Sequence, residues 1–110
     1  MNDLIKPEIA VIGEKDVIMP FKAIGFAVYY DNERDDIIKR CRTLTEAGCK
    51  IILMTEREAE KVTDYLNTRA RLAYPIIMPI PDGITNSGYG LKRLEKNIEK
   101  AVGQKTGGNL

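Results

Sequence analysis

The chain has 110 residues, enough to bury one ordinary core without disulfide or metal staples and too few to divide into two domains. Its 17 Lys plus Arg against 16 Asp plus Glu leave a formal charge of +1, so no basic footprint argues for nucleic acid or for an anionic membrane surface. Residues Met1 to Pro7 hold no apolar run of signal-peptide length, and no segment reaches the ~20 apolar residues of a membrane span, so a cytoplasmic protein without direct membrane insertion is expected.

Four apolar runs are each followed by a helix-like stretch, the alternation of a parallel sheet with crossover helices. Ile9 to Ile12, closed by Gly13, leads into a short helix from about Asp16 to Ile24 with Pro20 near its first turn, ended by Gly25. Phe26 to Tyr30 leads through Asp31 and Asn32, either of which is a candidate cap, into a helix carrying Ile37, Cys41 and Leu44 on one face. On its solvated face Asp35 precedes Lys39, and Asp36 precedes Arg40, by four residues, the favourable order for ion pairs. Gly48 supplies a left-handed stop.

Ile51 to Met54 ends at Thr55, which with Glu58 makes a capping box for a helix striped by Ala59, Val62 and Leu66. The fourth run, Tyr74 to Pro81, contains prolines that cannot donate ladder hydrogen bonds and therefore belongs at a sheet edge. Runs one and three are apolar on both faces and belong in the centre. Right-handed crossovers then give an α/β fold with a four-stranded parallel sheet in the order 2-1-3-4, Rossmann-like or receiver-like, over residues 8–81. Turn formers over residues 82–90 precede an amphipathic helix over 91–103, with Leu91, Leu94, Ile98 and Val102 on one stripe, and residues 104–110 form a frayed tail of the same single domain.

In an open parallel sheet ligands bind beyond the carboxyl ends of the strands where the order reverses, here between strands one and three. That crevice is furnished by Gly13, Glu14, Lys15 and Asp16 and by Thr55 and Glu56. A single glycine followed by acids is unsuited to cradle phosphate, so no nucleotide site is expected. Glu14 and Asp16 invite comparison with the magnesium-binding pair of receiver domains, but Met54-Thr55-Glu56 provides no phosphorylatable Asp at the end of strand three, and Asp16 as a helix cap with Glu14 in a solvated turn explains the pair without metal. Ser87-Gly88-Tyr89-Gly90 reads as a hinge before it reads as an anion nest. Cys41 and Cys49 lack CxxC spacing and read as buried or half-buried thiols. With no histidine and no Gly-x-Ser-x-Gly elbow, nothing assembles a nucleophile and its base, so no catalytic residue, metal or cofactor is expected.

Several segments together resemble one family. Ile9-Ala10-Val11-Ile12-Gly13-Glu14-Lys15-Asp16, then Pro20 to Phe26, and Ile51 to Glu56 resemble the opening and middle of the F subunit of V-type (A/V-type) rotary ATPases. Pro75 to Pro81, Gly88-Tyr89-Gly90-Leu91 and Ile98 to Gly103 resemble its end as bacteria and archaea write it. The match runs over residues 8–103; Glu14 stands where the family often has Asp, and Asp31 to Asp36 has no counterpart. The resemblance implies a non-catalytic central-stalk subunit bound to the long coiled coil of the D subunit, in a rotor joining ATP turnover to ion transport, with ATP handled elsewhere and the chain peripheral to the membrane through the complex. In the isolated chain the stripe of Leu91, Leu94, Ile98 and Val102 is expected to pack on its own sheet and protect the edge made by strand four; the resemblance gives the same stripe a partner-binding role, with Gly83, Gly88 and Gly90 as the hinge that lets it leave the sheet. The rival class is a degenerate receiver-like or ligand-sensing domain acting through Glu14, Asp16 and Thr55.

Overall fold

The apolar runs form four strands in a computed structural model that describes residues 8–69, 71, 72, 74–80, 96, 98 and 100. The order is β1 (Ile9–Ile12), α1 (Lys15–Ala23), β2 (Ala27–Tyr29), α2 (Arg34–Glu46), β3 (Ile51–Thr55), α3 (Glu56–Lys61), α4 (Thr63–Thr68) and β4 (Ile76–Ile80). All pairings are parallel and the sheet runs β2-β1-β3-β4, as the prolines and the doubly apolar central runs predict. Register places Val11 beside Val28 and Leu53, and Leu53 beside Met78.

Because side chains alternate across a strand, the two sheet faces carry separate cores. Ala10, Ile12, Ile52 and Met54 meet Ile37, Cys41 and Leu44 of α2 and Val62 between α3 and α4. On the other face Val11, Ile51, Leu53 and Ile80 meet Ile18 and Phe21 of α1, and Ile98 joins them. Both central strands are thus covered twice, which is why they tolerate no polar residue before Thr55. Each fully buried Ile, Leu or Phe contributes on the order of 1.5 to 3 kcal/mol. Gly25 and Gly48 sit at φ +96° and +87°, the left-handed conformation that lets α1 and α2 stop and the chain turn back.

Several local expectations are corrected. Pro20 lies at the sixth position of α1, not in its first turn, so the helix forgoes the bond its amide would give the Asp16 carbonyl. Neither Asp31 nor Asn32 caps α2: Glu33 stands at the cap without a side-chain bond, while Asp31 is taken by Arg40 at 2.8 Å. Arg40 therefore turns away from Asp36 and lies 4.2 Å from the centre of the Tyr29 ring. The helix after β3 is two short helices, because Val62 leaves helical geometry at φ −126° as it enters the core. The strand expected from Tyr74 begins at Ile76, after a cis Tyr74–Pro75 peptide. No helix among the described residues is long and apolar enough to cross a membrane.

Candidate functional site

The crevice beyond β1 and β3 is filled from within. A Cβ on Gly13 would stand 2.6 Å from both Cγ2 and Oγ1 of Thr55 and 3.1 Å from Cγ2 of Ile18, so glycine is needed there for space rather than for an unusual backbone angle. Its role is to let β3's last side chain close over the end of β1. Thr55 occupies the N-cap of α3 as the capping box requires, but its hydroxyl donates to the Glu58 carboxylate instead of accepting from an α3 amide. Glu58 is fully buried, with Lys61 Nζ 3.7 Å from its second oxygen. A buried carboxylate is costly unless partnered; Thr55 satisfies one oxygen, while among the described residues the other has no hydrogen-bond donor and only the Lys61 charge and the positive end of α3 near it.

At the mouth of the crevice Arg57 of α3 pairs with Glu14 at 2.8 Å. Glu14, expected in a solvated turn, is therefore the N-cap residue of α1 and is tied across to α3, while Asp16 lies inside the first turn rather than at the cap. Where a phosphate or hydrated cation would approach there are a threonine methyl, a buried carboxylate and a closed ion pair. Among the described residues no group of three or more Cys, Asp or Glu is disposed to hold a metal ion. Cys41 and Cys49 are both buried, and burial pushes the Cys41 thiol up to about 11 and raises Cys49 as well, so neither is poised as a thiolate.

The predicted partner stripe is represented by Ile98. This residue is helical and 5 % exposed, packed with Val11, Ile18, Phe21, Ile51, Leu53 and Ile80, while the helical Lys96 and Lys100 on either side of it are exposed. Ile98 thus lies on the chain's own sheet, beside α1. Leu91, Leu94, Val102 and the glycines Gly83, Gly88 and Gly90 lie outside the described residues.

A second set of contacts ties α2 to α3 and α4. Arg34 at the start of α2 donates to both carboxylate oxygens of Asp64, at 2.7 and 2.9 Å, and to the Lys61 carbonyl at 3.0 Å, while Lys61 Nζ donates to the Asn32 carbonyl at 2.8 Å. The Arg34 guanidinium accordingly holds the Asp64 carboxyl below its ordinary range. No sequence pattern points to these pairs, since partners some 30 residues apart meet only after β3 has been laid beside β1.

Fold and crevice define a small doubly wound α/β domain whose usual ligand cleft is occupied by its own side chains. Residues 9–98 match the family of the ATP synthase (F/14-kDa) subunit, and the chain belongs to that family. It is 31% identical over 96 residues to the V-type ATP synthase F subunit of Clostridium perfringens, covering 87% of this chain and 91% of that protein. It is 30% identical over 98 residues to the V-type ATP synthase F subunit of Fusobacterium nucleatum, covering 89% and 93%. The A-type ATP synthase F subunit of the archaeon Thermococcus sibiricus is 31% identical over 102 residues, covering 87% and 94%.

Proposed function

We propose that the chain is a non-catalytic central-stalk subunit of a V-type rotary ATPase, bound to the coiled-coil D subunit and helping to couple ATP hydrolysis or synthesis to proton or sodium transport. The observation that carries this reading is the family match from β1 through Ile98, nearly the whole α/β unit together with a residue of the terminal helix. A crevice filled by Thr55 and Glu58 and bridged by Glu14 and Arg57 supports it, because such a domain offers partners its surfaces rather than a pocket.

The stripe of Leu91, Leu94, Ile98 and Val102 is the face offered to the coiled coil, and the segment with Gly83, Gly88 and Gly90 is its hinge. Ile98 packed on the chain's own sheet is the resting arrangement. A partner that binds the stripe more strongly than the sheet does shifts the population toward the released helix. The protein works in the cytoplasm, peripheral to the membrane through its complex, and needs no cofactor of its own.

Co-purification of the full chain with the D subunit tests the reading. Leu94→Asp is expected to lower affinity for that partner by about tenfold or more, the loss of one apolar anchor at an interface, well beyond what its effect on the urea midpoint of the isolated chain explains. Equal losses of affinity and stability would reduce the helix to a structural element.

A further inference from the structure

Three arginines of the helical layer have carboxylate partners: Arg34 with Asp64, Arg40 with Asp31 and Arg57 with Glu14. Arg69, at the end of α4, is more deeply buried than any of them at 8 % exposed, yet among the described residues no carboxylate lies within 4 Å of it. Its hydrogen bond there is a long one, 3.5 Å to the Tyr74 carbonyl. The guanidinium lies 5.9 Å from the centre of the Tyr65 ring, and Arg42 of α2 approaches the same ring at 5.8 Å. Two cations converge on one aromatic ring, and among the described residues neither has a carboxylate within 4 Å.

They line a shallow groove of about 320 Å³ between α2 and α4. Glu46 also lines it but pairs with neither arginine, and the Thr45 and Thr68 hydroxyls donate to their own helices' carbonyls, at 2.7 Å each. The donors left for an incoming group are therefore the two guanidinium forks, whose geometry suits a carboxylate, with the Tyr65 hydroxyl beside them. Leu72, the most exposed large apolar residue among those described at 54 %, completes the lining. A free phosphate would leave Leu72 in water, whereas a protein segment covers it while satisfying the charges.

We propose that this groove docks an acidic, partly apolar segment of another subunit of the complex, one of its carboxylates bridging Arg42 and Arg69 above Tyr65 and an adjacent apolar side chain covering Leu72. That the partner is a subunit of the complex rests on the stalk reading. The groove itself lies on the sheet face opposite Ile98, so it is a second contact, separable from the terminal stripe.

The test uses the full chain titrated with the D subunit and with the assembled catalytic head of its own complex, at physiological salt. Arg42→Glu and Leu72→Asp alter exposed side chains, and Arg69→Lys keeps the charge but loses the fork. Each is expected to weaken one of these interactions by about tenfold or more, the range of an interface anchor, while leaving the effect of Leu94→Asp unchanged. A partner Asp or Glu changed to Lys restores binding to Arg42→Glu. Binding of both probes within twofold of wild type for all three variants overturns the groove and leaves the stalk reading standing; binding of neither probe to the wild-type chain overturns both. Saturable shifts of the Arg42 and Arg69 side-chain signals with inorganic phosphate, alongside unaltered binding to both probes, replace the docking surface with a small-anion site.

Discussion

Cys41 illustrates how residue chemistry follows from placement. Its sulfur lies under α2 against the sheet, and burial, acting against a smaller opposing effect of Arg69, raises the thiol to about 11. The protonated form is favoured in the folded chain, so above the ordinary thiol range the unfolded chain releases its proton first. Stability contributed by the neutral thiol is therefore present at neutral pH and lost as pH climbs toward about 11. Urea midpoints measured across that window are expected to fall less steeply for Cys41→Ala than for wild type; equal slopes would refute the assignment. Burial of both cysteines was legible in the residue type, since a free thiol without metal or redox spacing is most often a buried one. The roles of Glu14 and Asp31 were not, because each depends on a residue from another element, Arg57 and Arg40 respectively, and neither was the meeting of Arg69 with Arg42 at Tyr65, since Arg42 comes from α2.

At the scale of elements, helix α1 carries a defect that its sequence advertises. Pro20 is exposed, at the sixth of nine positions, where its ring removes one intrahelical bond. Pro20→Ala restores that donor, partly countered by the greater freedom of the unfolded chain, and is expected to stabilise the protein by about 1 to 2 kcal/mol in urea denaturation. No gain, or a loss, would mean that the backbone geometry Pro20 imposes is needed to seat Ile18 and Phe21 in the core. Element types and their chain order were readable because apolar runs and turn formers act locally. Ends and interruptions were less so: α3 and α4 share the stripe of a single helix, and burial of Val62 decides the break between them.

For the molecule as a whole, Ile98 is the point where the stalk reading and the core meet. It is buried among residues of α1, β1, β3 and β4, so Ile98→Ala is expected to destabilise the isolated chain by about 2 to 4 kcal/mol, the range for truncating a buried Ile. A urea midpoint unchanged by Ile98→Ala would mean that the resting helix contributes nothing to the fold. In the complex the same substitution acts on affinity for the coiled-coil partner, and comparison with Leu94→Asp separates packing from docking. The amino-acid sequence by itself determined the α/β class and the 2-1-3-4 order, since periodicity, proline positions and glycine stops record which strands are central and where the chain turns, and the resemblance of its segments pointed to the family. Only the tertiary structure decided that the crevice is closed by Thr55 and Glu58 behind a Glu14–Arg57 pair and that Arg42 and Arg69 converge on Tyr65. The approach of Thr55 to Gly13, of Arg57 to Glu14 and of Arg42 to Tyr65 depends on distances between residues far apart in the chain, set by how the two helical layers settle on the sheet.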